Sequence, residues 1–209
     1  METFRGYRIK GKRGLSHWAA LLEEWLLGVE RYCRILPGDD APYIYNERAN
    51  LSVLTGAAWR AGWIALEEFQ HEKRHSGKKA HYGRADLWLH SGSLEEIVEA
   101  KFRWIAMASV KTAGLVEETM ASAVKDAKAS KNNSAVNGIG VGFFPLYKKS
   151  TRVQNINKLI EETIEEFSNF DFHAMAWCFP PEMRDYTNEN TSNRLPGVIL
   201  LAKNSNFCD

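Results

Sequence analysis

The stretch GRADLWLHSGSLEEIVEAKF, residues 83–102, decides the fold. Two apolar runs flank Ser91-Gly92-Ser93, yet Asp86 interrupts the first run and Glu99 and Lys101 interrupt the second. Charges placed where a sheet buries Leu, Trp, Ile and Val are costly unless something compensates them. If Gly92-Ser93 is a two-residue hairpin turn, with Gly first as a type II′ turn prefers, then Ser91 faces Leu94. Counting outward sets Asp86 opposite Glu99 and Arg84 opposite Lys101. Opposed residues share a face, with Cβ atoms ~4.5–5.5 Å apart, and Glu99 and Lys101 share it through the two-residue period of a strand. In this register Asp86, Glu99 and Lys101 form one patch; a three-residue loop would shift the pairing by one.

Working outward, residues 63–70 read as a further strand, joined to a strand over 81–90 by a polar turn, and 94–102 completes a meander. An Ala-rich helix is expected over 105–130. Then NGIGVGFFPLY, 137–147, reads as a buried strand with Gly138, Gly140 and Gly142 on one face and Ile139, Val141 and Phe143 on the other. Its G-x-G-x-G spacing lacks the offset of a phosphate loop; a bare strand face instead lets a helix come close. Upstream, Leu15, Trp18, Leu22, Trp25, Val29, Tyr32 and Leu36 repeat at three- and four-residue steps, which predicts a helix over 15–36 capped by Ser16 and ended by Pro37-Gly38. A second helix is expected over 41–61, with Asp40 as N-cap and Gly62 as stop. Its apolar stripe is Ile44, Leu51, Leu54 and Ala58, and the missing member at the correct phase is Glu47. A helix over 153–167, strands over 173–179 and 198–202, and a polar loop over 180–197 complete the chain.

The expected fold class is α/β in the mixed α+β sense, a central mixed sheet flanked by helices in one domain over 1–209. It divides into an N-terminal helical extension (1–40), a core (41–147) and a C-terminal helix and strands completing the sheet (148–209). The chain has 209 residues, 44% of them hydrophobic and 25% charged, enough for one core and short for two. A formal net charge of +1 gives no support to a strongly basic nucleic-acid binder and names no partner. Cys33, Cys178 and Cys208 are odd in number and far apart, which argues against a disulfide framework or zinc site and for a cytoplasmic protein. No signal peptide or membrane span is read. The histidines show no metalloprotease or zinc spacing, and no Ser-His-Asp or Cys-His arrangement stands out.

Two facing carboxylates repel and call for a cation. A hard divalent ion such as Mg²⁺ wants oxygen ligands and keeps several waters. Beside it, the Lys101 amine would orient an attacking water and offset charge on a phosphate, which is the equipment for hydrolysing a phosphodiester. Glu47 would add a third carboxylate to the same metal.

This pattern resembles the PD-(D/E)XK, or restriction-endonuclease-like, nuclease superfamily. The residues that carry the resemblance are Asp86 in GRADLWL, Glu99-Ala100-Lys101 in IVEAKF, and Glu47 in YNERANL, which matches an acid that many members place on the first core helix. The superfamily's core order, helix, three-stranded meander, helix, strand, matches residues 41–147, about half of the chain. Ala85 stands where the family pattern has proline. The resemblance implies a restriction-endonuclease-like core and Mg²⁺-dependent cleavage (Mn²⁺ as substitute) of DNA, less often RNA. It implies Asp86, Glu99 and Lys101 as catalytic residues and Glu47, Asp86 and Glu99 as metal ligands. Lys73, Arg74, Lys78, Lys79 and Arg84 are candidate backbone contacts, because phosphates are held by such side chains. Two other readings stay open: a salt-bridged sheet edge without chemistry, and a non-catalytic nucleic-acid-binding or assembly subunit that keeps the fold. Homo-oligomers and larger complexes are both compatible with the sequence.

Overall fold

A computed structural model of the chain describes residues 4–11, 14–73, 81–131, 136–149 and 155–207, with only the backbone given for 71–73 and 81–82. The strands are β1 (Phe4–Ile9), β2 (Ile64–Lys73), β3 (His81–His90), β4 (Glu95–Phe102), β5 (Ile105–Ala106), β6 (Asn137–Lys149), β7 (Ala174–Phe179), β8 (Thr187–Asn188) and β9 (Asn193–Asn204). The helices are α1 (Ala19–Ile35), α2 (Glu47–Arg60), α3 (Thr112–Ser130) and α4 (Ile156–Ser168). The strands form one mixed sheet in the order β1-β7-β9-β6-β4-β3-β2, with β5 added to β6 and β8 to β9. The β2–β3–β4 meander is antiparallel, whereas β4 and β6 are parallel and joined through α3.

The sheet is covered on both faces. Helices α1 and α2, with the 3-10 turn that leads into α1, bury Trp18, Leu22, Trp25, Leu26 and Leu54 against Leu87, Leu89, Val98, Ala100, Ile139, Val141 and Phe143. Helices α3 and α4 bury Val116, Met120, Ile160 and Phe167 against Phe144, Met175, Ile199 and Leu201. Each such side chain, fully buried, contributes about 1.5–3 kcal/mol. The alternation along β6 is as the sequence predicts: Ile139, Val141 and Phe143 face α1 and α2, and the glycines face α3. A Cβ on Gly140 would lie 2.5 Å from the Val124 nitrogen, and one on Gly138 would lie 2.5 Å from the Ala127 carbonyl oxygen. Bare backbone on β6 is what lets α3 lie this close. Among the described residues no helix is long and apolar enough to cross a membrane.

Several boundaries depart from the sequence expectation, each for a local reason. Helix α2 starts at Glu47 rather than 41, because the Asn46 side chain caps it by accepting from the Ala49 N–H at 2.9 Å. Asp40, the expected cap, instead accepts from the hydroxyls of Tyr32 and Tyr45, both at 2.6 Å, and Pro42–Ile44 makes a separate 3-10 turn. Ser16 caps nothing: it begins a 3-10 turn over Ser16–Trp18 that leads into α1. Residues 105–106 pair with Leu146 and Tyr147 as a strand, which delays α3 to Thr112. The first 40 residues hold more than a helix, since β1 pairs with β7 and extends the sheet by one strand.

Candidate metal and nucleic-acid site

The hairpin register is the expected one where the ladder forms. Ser91 N–H donates to the Leu94 carbonyl at 3.1 Å, and Gly92 has φ +89, the positive value that a type II′ turn requires at that position. Pairs then run from His90 with Glu95 to Leu87 with Val98. There the β3–β4 ladder ends. The expected pairs Asp86–Glu99 and Arg84–Lys101 are not formed. Asp86 instead turns its Oδ2 onto the Ala100 N–H at 2.8 Å, so a side chain satisfies a backbone donor where the strands part. The distortion crosses β3 into β2. Glu68 lies between the paired residues Glu67 and Phe69, opposite Asp86, and has φ +48. A non-glycine residue in that region costs about 1–3 kcal/mol and persists only where its surroundings enforce it. Here Arg48 of α2 and Arg84 of β3, the latter at 3.3 Å, both hold the Glu68 carboxylate.

Glu99 and Lys101 are positioned by the other neighbour of β4. They pair with Gly140 and Gly142 in the parallel ladder, so their side chains emerge beneath α3. Glu99 is only 3% exposed and accepts a 2.5 Å hydrogen bond from the Ser130 hydroxyl. Lys101 Nζ lies 2.8 Å from Asp126 Oδ2. Burial pulls the Lys101 ammonium down, but Asp126, and after it Glu47 and Asp86, outweigh burial and leave it above the ordinary lysine value. Lys101 is therefore a cation at neutral pH.

Glu47 is the first residue of α2, where the helix N-terminus favours a carboxylate. Its pKa is nevertheless raised, first by burial and then by Asp86, with smaller contributions from Glu99 and Asp126 that Lys101 partly offsets. Glu47 thus sits in the electrostatic field of all three motif residues. A carboxyl whose folded pKa is raised binds its proton more tightly in the native state, so stability is lost as pH rises above the ordinary glutamate range. Glu47→Gln is accordingly expected to raise the melting temperature of the metal-free protein at neutral pH. The gain should shrink on acidification, and thermal unfolding across pH checks it.

The structure therefore brings Glu47, Asp86, Glu99 and Lys101 into one neighbourhood at the opening of the sheet. Among the described residues no group of three His, Cys, Asp or Glu side chains is arranged to hold a metal ion. Mg²⁺ needs fewer, because it binds through one or two carboxylates and completes its shell with waters and substrate phosphates. Asp86 and Glu99 supply that number and kind of donor. Of the candidate backbone contacts, Arg84 is largely exposed and paired with Glu68. The side chain of Lys73, and Arg74, Lys78 and Lys79 entirely, lie outside the described residues. Asp126 and Ser130 were not singled out from the sequence. The available signal was their four-residue spacing on the α3 face that carries the buried Ala123 and Ala127. Compared with known proteins, the chain matches no family model, no curated protein and no solved structure.

Proposed function

We propose that this protein is a divalent-metal-dependent nuclease that hydrolyses phosphodiester bonds of DNA, with the PD-(D/E)XK arrangement of active-site groups. The observation that carries the reading is the break in the β3–β4 ladder at Asp86, beside Glu99, Lys101 and the electrostatically coupled Glu47. A cluster of carboxylates with one ammonium, held where a sheet gives up its own pairing, is poor design for stability and suited to binding a cation and a phosphate. The order of α2, the β2–β3–β4 meander, α3 and β6 adds support, since it follows the superfamily's core order.

In this reading Asp86 and Glu99 would hold Mg²⁺, and Glu47 stands in their electrostatic field without completing a three-carboxylate cage among the described residues. The ion supplies Lewis acidity and charge neutralisation at the scissile phosphate. Lys101 orients the attacking water and offsets the charge that develops on the phosphoryl oxygens. Asp86 also keeps the site open, because its bond to the Ala100 N–H replaces a strand-to-strand rung.

The test is incubation with plasmid, linear and single-stranded DNA in Mn²⁺ against EDTA. Cleavage is expected in Mn²⁺ and none in EDTA, and Asp86→Ala is expected to be folded and inactive. An Asp86→Ala protein that cuts at the wild-type rate overturns the reading. A non-catalytic binding subunit would instead show no cleavage, and no Mn²⁺ uptake dependent on Asp86 and Glu99 in isothermal titration.

A further inference from the structure

One helix touches both halves of the Glu99-Ala100-Lys101 motif. Ser130 donates to Glu99 and Asp126, one turn earlier on α3, pairs with Lys101. The match is geometric. Residues four apart on a helix advance about 6 Å along its axis at 1.5 Å per residue, and residues two apart on a strand advance about 6.6 Å at 3.3 Å per residue. Side chains 126 and 130 therefore fall over 101 and 99 when the helix runs against the strand direction. The glycine face of β6 sets the height at which this happens. The Ala123–Val124 backbone would clash with a Cβ on Gly140, and Gly140 is the ladder partner of Glu99.

Resting on the nuclease reading, we propose that Ser130 and Asp126 are positioning residues with separate duties. Ser130 orients Glu99 as a metal ligand, and Asp126 holds the Lys101 ammonium at the reacting phosphate. Neither touches metal or substrate itself. Partners that orient ligands in this way typically change metal affinity or activity by about 10–100-fold when removed.

The two duties separate in two readouts. In isothermal titration with Mn²⁺ alone, Ser130→Ala is expected to weaken binding by about tenfold or more, whereas Asp126→Asn binds as the wild type does. In DNA cleavage at saturating Mn²⁺, Asp126→Asn is expected to lower kcat by about tenfold or more with KM unchanged. Asp126→Glu, which keeps the carboxylate, restores part of that loss, and Ser130→Ala approaches wild-type kcat. Circular dichroism melts establish that each variant is folded. A merely structural role would lower Mn²⁺ affinity, kcat and melting temperature together in both variants, and that result overturns the assignment. So does wild-type behaviour of both variants in both assays. Should the wild-type protein neither bind Mn²⁺ nor cleave, the nuclease reading falls and this inference falls with it. Should the wild type do both while the variants match it, only the inference falls.

Discussion

Lys101→Ala protein is expected to bind Mn²⁺ at least as well as the wild type and to cleave DNA about 10²–10³-fold more slowly, the usual effect of removing one preorganised charge-stabilising donor. The two halves of this result have different causes. Lys101 is a cation in the field of Glu47 and Asp86, so its removal takes away a charge that competes with a metal for the same carboxylates. The kinetic loss comes from the transition state, where charge builds on the phosphoryl oxygens and a preorganised ammonium costs no reorganisation. Measuring Mn²⁺ affinity and single-turnover cleavage on one preparation separates the two. Loss of Mn²⁺ binding together with activity would show that Lys101 holds the carboxylates in place, and unchanged cleavage would remove it from the mechanism.

The second large effect lies on β6, at the glycine that pairs with Glu99. Gly140→Ala is expected to destabilise the fold by about 3 kcal/mol, at the upper end of overpacking costs, seen as a melting point lower by roughly 6–12 °C for a chain of this size. The added methyl would sit 2.5 Å from the Val124 nitrogen and 2.8 Å from the Ala123 carbonyl carbon, which are backbone atoms that no rotamer change can withdraw. Helix α3 must lift or β6 must bend. Either movement carries Asp126 and Ser130 away from Lys101 and Glu99, so activity should fall at temperatures where the variant remains folded. Gly56 is the control. It lies in the interior of α2, and a Cβ there meets nothing within 4 Å, so Gly56→Ala is expected to stabilise the fold by up to about 1 kcal/mol. Chemical denaturation of both variants checks the pair.

Much of this arrangement is legible in the sequence. The period-two pattern gave the meander, the period-3.6 pattern gave α1, Ala-rich composition gave α3, and a single turn residue, Gly92, gave the register for Leu87–His90 against Glu95–Val98. The alternation of Gly138, Gly140 and Gly142 with Ile139, Val141 and Phe143 gave the seat of α3. What escaped the sequence has identifiable causes. The edge strand β1 has a backbone paired along one side only, and its exposed Arg5 and Arg8 mask any apolar pattern. The sequence pattern places the start of α2 at an Asp40 cap, but Asn46 caps the helix and the Asp40 carboxylate is taken by Tyr32 and Tyr45. Within the site, residue types and approximate proximity were readable from charges in apolar strands. Their engagements were not, because counting pairs along a hairpin assumes that the ladder continues through Asp86. Ser130 and Asp126 reach the site through tertiary packing, which local periodicity does not encode.

The β2–β3 hairpin is sutured to the rest of the sheet by a short seam, the pairs from Leu87–Val98 to His90–Glu95 with side-chain stitches from Trp88 to Glu95 and from Asp86 to Ala100. Under the proposed function, a ligand spanning Asp86 on one bank and Glu99 on the other would close that seam. Engagement of substrate and stiffening of the hairpin would then be one event, with amide exchange along β3 as its reporter.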